Sequence, residues 1–198
     1  MSGEIIRKAS AELDLLRSRH DAARFPPLCR SLLRSIPGNH ACADCNAPNP
    51  EWASVTYGCL ICMRCSGRHR SYGVQTSFVR SIDMDHWTSE QVLTMLEGGN
   101  DQLQAFFERH HMGRNSEMAG KRYHTKAALF YRTHLSKHVK AVAKQGSYQG
   151  REESRKKYQK EAQKSAELCG NNNTGNTSAT TEATKGLVSV QRKAIRAQ

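Results

Sequence analysis

The chain has 198 residues, 37% of them hydrophobic, and a formal net charge of +12 at pH 7. That length supports one globular core with extensions rather than two cores, and no apolar run approaches the ~20 residues a membrane-spanning helix needs. The basic excess is spread over residues 1–150 and 151–198 alike, so charge does not decide between nucleic acid, an anionic membrane and an acidic protein as partner.

The start carries no charged-then-apolar leader, and Ser2 stands where a myristoylation signal requires glycine. The chain is therefore expected in the reducing cytosol, where its seven cysteines stay available as thiolates. Residues 4–22 are predicted helical, with Ile6, Ala9, Leu13 and Leu16 along one stripe. Two heptads are too few for a coiled coil, so this helix is expected to dock on the domain. Phe25, Pro26 and Pro27 break the pattern. Pro27 suits the first turn of a second helix that carries Leu28, Leu32, Leu33 and Ile36 inward and stops at Pro37, Gly38 and Asn39.

Cys42 and Cys45 form one Cys-x2-Cys pair, and Cys62 and Cys65 form another after sixteen intervening residues. Two such knuckles place four thiolates within reach of one tetrahedral Zn²⁺. Buried thiols or disulfides are the plainer alternative, which a cytosolic chain disfavours. A zinc closed by four sulfurs has no position open to water or substrate, so the expected ion is structural. Cys29, Cys59 and Cys169 are left over, and the first two read as small core residues.

Between the pairs, the β-branched and aromatic run Trp52 to Tyr57, the turn residue Gly58 and Cys59 to Ile61 predict a hairpin. Helix is expected from Cys62 to about His69, and a third strand over residues 76–82. Thr88 and Gln91 form a capping-box pair for a helix ending at Gly98 and Gly99, and Asn100 is expected to cap the next, which holds Leu103, Phe106 and Phe107. A last domain helix runs from about His124 to Lys144, burying Ala127, Ala128, Phe130, Tyr131, Leu135, Val139 and Val142. His134 and His138 sit four apart on it. With no third ligand spaced nearby, they read as a solvated face rather than a metal pair.

Residues 151–168 have helix-forming Glu/Lys pairing but almost no apolar face, so they are expected to be solvated. Residues 171–181 read as a low-complexity linker, and its two sequons, at Asn172 and Asn176, mean nothing in a cytosolic chain. Residues 187–198 carry a weak membrane-surface pattern, for which disorder is expected. The organisation is thus an N-terminal helix (1–24), a zinc-finger domain (25–148) and a basic, low-complexity, largely disordered tail (149–198). No Gly-x4-Gly-Lys-Ser/Thr loop occurs, nor any nucleophile with a base recognisable by spacing.

The pattern Cys-x2-Cys-x16-Cys-x2-Cys-x4-Arg, ending on Arg70, comes with Trp52, Gly58, Ser66, Gly67, His69, Phe78, Arg80, Met84, Asp85, Trp87 and Gly98 to Asn100. It resembles the signature of the Arf GTPase-activating proteins from about Leu28 to about Val142, most like their Golgi-associated branch. The resemblance implies an α/β (α+β) fold: a small four-cysteine zinc finger and a three-stranded sheet surrounded by helices. It also implies one structural Zn²⁺ on Cys42, Cys45, Cys62 and Cys65, and Arg70 as a catalytic arginine finger. Trp52, Met63 and Asp85 fall at positions like those that contact the partner. Trp52 could equally be an aromatic lid on the hairpin, and Asp85 a cap for the next helix.

The implied function is activation in trans of a GTP-bound Arf-family small GTPase, with no nucleotide site on this chain and no nucleic-acid partner. Peripheral association with Golgi or vesicle membranes is implied too. Arg64 replaces a commonly acidic residue and Cys59 a commonly aliphatic one. No curvature-sensing amphipathic helices are evident after residue 150. Two other readings compete: a GATA-like zinc-finger module that binds nucleic acid, and an adaptor that binds Arf without stimulating it. The mixed charge of Phe78 to Asp85 counts against the first, and Arg70 against the second.

Overall fold

The computed structural model describes residues 3–19, 22–115 and 119–170. The chain divides into two units, Met1–Tyr158 and Gln159–Gln198. The first helix, α1 (Gly3–Ser18), buries Ala9, Leu13 and Leu16 together with Ser10, leaves Ile6 half-buried, and ends short of residue 22. The second, α2 (Pro27–Ser35), has Pro27 in its first turn and buries Cys29, Leu32 and Leu33, with no cap from its own N-terminal residue. The orphan N–H groups of Leu28 and Cys29 donate instead to Glu12 Oε2 on α1, at 2.9 and 3.0 Å. The N-terminal helix is thereby tied to the first turn of its neighbour.

Three short strands, β1 (Trp52–Ser54), β2 (Cys59–Ile61) and β3 (Val79–Ser81), form an antiparallel sheet in the order β2-β1-β3. Trp52 lies opposite Ile61 on one side and Ser81 on the other. The hairpin turns through a 3-10 segment, Val55–Tyr57, and through Gly58 in the left-handed region at φ 60°. A Cβ on Gly58 would stand 2.8 Å from the Thr94 carbonyl, so this turn requires glycine twice over. Helix α3 (Met63–Ser71) follows the second cysteine pair.

Helix α4 (Ser89–Glu97) has the predicted capping box between Thr88 and Gln91. The next helix, α5 (Asn100–Arg109), departs from expectation. Gly99 takes the N-cap position, and Asn100 points its side chain into the core. There the Leu60 N–H donates to Asn100 Oδ1 at 2.7 Å, while Nδ2 donates to the Ala41 and Leu60 carbonyls at 2.6 and 3.0 Å. Among the described residues the outer edge of β2 has no strand partner, and Asn100, with the Ala43 N–H, satisfies it in place of a ladder. Asn100→Ala strands two buried backbone groups, the Leu60 N–H and the Ala41 carbonyl, at roughly 1–3 kcal/mol each, while the Leu60 carbonyl keeps the Ala43 N–H. Urea unfolding of the zinc-loaded protein is expected to show a loss of about 2 kcal/mol or more.

Helix α6 (Lys126–Lys144) starts on the Thr125 cap and buries Ala128, Tyr131, Leu135, His138, Val139 and Val142. Phe130, predicted to be inside, is an exposed large hydrophobic at 36%. His138 is not solvated: it is buried, with Nε2 2.6 Å from Oε2 of the fully buried Glu97. The last helix, α7 (Arg151–Gly170), overturns the expectation of a solvated segment for its first turns. Arg155 donates to the Glu97 carbonyl at 2.7 Å, Arg151 to Asp101 at 3.0 Å, and Ser154 is buried. The Arg155 guanidinium satisfies the last carbonyl of α4 and Arg151 pairs with a carboxylate in the first turn of α5, so α7 packs without an apolar face. Burial, reinforced by the charge of Arg151, brings Arg155 down to about 10.

The described part of the second unit is helical. The predicted linker with its sequons and the 187–198 stretch lie outside the described residues. Among the described residues no helix is long and apolar enough to cross a membrane.

Candidate functional site

The first cysteine pair sits in a tight loop closed by Cys42 N–H to the Ala47 carbonyl at 2.8 Å and Asn46 N–H to the Cys42 carbonyl at 3.0 Å. Asn46 occupies the left-handed region at φ 62°. The second pair flanks the start of α3: Cys62 is its N-cap residue and Cys65 lies in its first turn. The four sulfurs all lie within 4.8 Å of one another. Sulfurs held ~2.3 Å from a tetrahedral zinc stand about 3.8 Å apart, so the cluster fits that ion with little adjustment. Two donors already face the thiols: Cys62 N–H reaches Cys42 Sγ at 3.2 Å, and Arg68 reaches Cys65 Sγ at 2.9 Å. Both suit sulfur carrying negative charge.

The other described thiols are of a different kind. Burial, then the nearby Glu12 carboxylate, pushes Cys29 up to about 12, and burial raises Cys59 as well. Such thiols are core residues rather than ligands or nucleophiles. The side chain of Cys169 lies outside the described residues. His134 and His138 belong to no group of three or more His, Cys, Asp or Glu gathered for a metal among those described.

One face of α3 buries Cys65, Ser66 and His69, while Arg70 is exposed. The Arg70 guanidinium lies over the Trp52 ring, 4.4 Å from its centroid, with one long hydrogen bond to Ser66 Oγ at 3.5 Å. No carboxylate pairs with it among the described residues. Trp52 is half-buried in β1, so the sheet holds the indole and α3 holds the guanidinium against it. An exposed cation–π contact of this kind is worth about 0.5–1 kcal/mol, enough to bias the arginine's rotamer but not to sequester it.

Met63 lies seven residues before Arg70 on the same face of α3 and is 75% exposed. Asp85 is not drawn to Arg70. Its Oδ2 accepts from Ser81 N–H at 2.6 Å and closes the turn after β3, while Thr88, not Asp85, caps α4. Arg80 lies over the Phe78 ring with its guanidinium carbon 4.9 Å from the centroid.

Sequence reading missed a polar cluster behind the knuckle. The buried His69 engages Asp44 Oδ2 through Nε2 at 3.1 Å and Ser77 Oγ through Nδ1 at 2.7 Å. Ser77 Oγ is in turn 2.6 Å from Ser54 Oγ on β1. The second oxygen of Asp44 accepts from Arg122 and from the Tyr123 hydroxyl, each at 2.6 Å. Burial alone would raise the Asp44 carboxyl. The hydrogen bond and charge of His69, with the charge of Arg122, outweigh it and hold Asp44 well below the usual carboxylate range. The only trace in the sequence is a charged residue between the paired cysteines Cys42 and Cys45.

The ArfGap family model, whose description is a GTPase activating protein for Arf, matches residues 28–144. ADP-ribosylation factor GTPase-activating protein 3 of Bos taurus is 44% identical over 116 residues, covering 58% of this chain and 21% of that protein. ADP-ribosylation factor GTPase-activating protein GCS1 of Saccharomyces cerevisiae is 48% identical over 80 residues, covering 40% of this chain and 23% of that protein. The chain thus spans about a fifth of the length of these curated relatives. A Cryptosporidium parvum crystal structure, assigned as a GTPase activating protein for ADP ribosylation factor, superposes with a TM-score of 0.52 at 31% identity. That superposition covers 64% of this chain and 93% of the other.

Proposed function

This chain belongs to the ArfGap family of GTPase-activating proteins for Arf, and from that premise we propose that it accelerates GTP hydrolysis on an Arf-type small GTPase, with Arg70 as the residue supplied in trans. Hydrolysis transfers the γ-phosphoryl group from the bridging oxygen of GDP to water, and negative charge develops on the phosphoryl and bridging oxygens. A guanidinium, permanently charged and planar, neutralises both at once. The observation that carries this reading is the state of Arg70: exposed, free of any described carboxylate, and braced on Trp52 at 4.4 Å.

Cys42, Cys45, Cys62 and Cys65 would hold a zinc ion, whose contribution is structural because four thiolates fill its coordination. The chain's own residues do the rest. The two cysteine pairs fix the root of α3, Trp52 braces the arginine, and Met63 and Asp85 offer apolar and acidic contact to the partner. The nucleotide and attacking water belong to the GTPase, so this chain acts as an activator at another protein's site. Action on Arf at Golgi or vesicle membranes, and hence on coat turnover, extends the same proposal.

The test is a single-turnover GTPase assay of the full zinc-loaded chain against a panel of GTP-loaded Arf proteins on liposomes, with Arg70→Ala alongside. Stimulation by wild type at least 10³-fold above that by Arg70→Ala is expected. Binding to Arf without stimulation would favour the adaptor reading. Steeply salt-dependent duplex binding without stimulation would favour the nucleic-acid module.

A further inference from the structure

Helix α3 carries two cysteines of the cluster at its start and Arg70 near its end, and nine residues are too few for a helix to be rigid by itself. At 1.5 Å per residue Arg70 stands about 8 Å along the axis from Cys65, so a pivot of only about 10° about the cysteine cluster would carry it more than 1 Å. Misplacement on that scale costs about 10²-fold in rate. Something must clamp the far end of the helix.

The clamp is one residue before Arg70. We propose that Asp44 and His69 are positioning residues: through the buried Asp44 carboxylate, His69 locks the end of α3 to the first knuckle and so aims Arg70. This rests on the reading of Arg70 given above. His69 is fully buried, and both its ring nitrogens are engaged, Nε2 by Asp44 and Nδ1 by Ser77. Asp44 is held in turn by Arg122 and Tyr123, both buried, and Arg122 and Arg114 also donate to the neighbouring Ala43 carbonyl, at 3.3 and 2.9 Å. Ser77 joins Ser54 of β1, the strand that carries Trp52.

The two partners of the cation–π pair are therefore tied to one polar hub from opposite sides. Stability does not account for such a hub, because well-packed apolar residues in place of a buried ion pair are often as stable or more so. What a directional network adds is a fixed rotation of α3.

The experiment measures maximal single-turnover stimulation and the half-saturating concentration separately, on full-length chains with zinc stoichiometry and melting temperature determined for each. Asp44→Asn keeps the shape of the hub but removes its charge. It is expected to retain one zinc and a half-saturating concentration within about 3-fold, while the maximal rate falls 10- to 100-fold. His69→Gln, which can still donate to Asp44, is expected to recover at least 10-fold of the loss seen in His69→Ala. In the free protein, the ¹H–¹⁵N NOE of the Arg70 Nε–H group is expected to drop in Asp44→Asn with core amide values unchanged.

Should Asp44→Asn fail to fold, Tyr123→Phe removes a single hydrogen bond to the same carboxylate and is expected to lower both the maximal rate and the Arg70 NOE. A full maximal rate with an unchanged Arg70 NOE in the folded variants overturns the proposal, as does a loss that only follows zinc content or melting temperature. Arg70→Ala, run in parallel, separates the two levels. If it stimulates like wild type, the arginine-finger reading fails. If it is inactive while Asp44→Asn is fully active, only the positioning role fails.

Discussion

Arg70→Lys is expected to lower maximal stimulation of Arf-bound GTP hydrolysis by about 10³-fold or more, roughly 4 kcal/mol of transition-state stabilisation, while leaving the fold and its melting temperature almost unchanged. Lysine keeps the charge but loses the planar fork that spans two oxygens at once, and it stacks less well over the Trp52 ring. Among the described residues the side-chain contacts of Arg70 are that stack and one long hydrogen bond to Ser66, so its removal costs about 1 kcal/mol or less of stability. The combination discriminates well, because few substitutions abolish activity and spare the structure. Matched single-turnover traces and thermal melts of wild type and variant measure both halves.

The second large effect concerns the cysteine cluster. Chelation of the bound metal, or Cys45→Ala, is expected to unfold the region from Ala41 to Ser81. Structural zinc contributes about 10–16 kcal/mol of apparent binding energy at neutral pH, against a typical domain stability of about 5–15 kcal/mol. The loss would spread because neighbouring contacts depend on the knuckle. Ala43 N–H donates to the Leu60 carbonyl at 2.9 Å, and the Asp44 hub that ties α3 and Arg122 together hangs from the same loop. Circular dichroism and tryptophan emission during chelator titration, with released zinc counted, would report it. Unchanged spectra and full activity after complete zinc removal would mean that the four thiols hold the loop without metal.

Much of the fold is legible in the sequence because it is written in local, repeated signals. The stripe of α1, Pro27 opening α2, the Thr88 and Gln91 capping box and the two Cys-x2-Cys pairs each depend on residues a few positions apart. The pieces that escaped are polar side chains that act across the chain: Glu12 capping α2, Asn100 closing the free edge of β2, and Glu97 meeting His138. Apolar periodicity cannot find them, because a buried Asn or His looks like a surface residue until its partner is known. The first turns of α7 escaped for a related reason. They pack by delivering Arg155 to the end of α4 and Arg151 to Asp101 on α5, which no count of apolar residues reveals.

The candidate site divides the same way. The cysteines and Arg70 stand out by spacing and by family resemblance, and the sheet register explains why Trp52 comes to lie under the guanidinium. Asp44 is separated from Arg122 and Tyr123 by nearly eighty residues, and only the folded chain brings the three together on one carboxylate.

The claim that Arg70 acts on the transition state, and not merely on association, is tested most directly by complex formation with Arf loaded with GDP and aluminium fluoride, whose planar fluoride species mimics the transferring phosphoryl group. Wild type is expected to bind that state at least 10²-fold more tightly than Arg70→Ala, while the two bind Arf loaded with a non-hydrolysable GTP analogue within about 3-fold of each other. Equal affinity of wild type and Arg70→Ala for the fluoride complex would contradict the account.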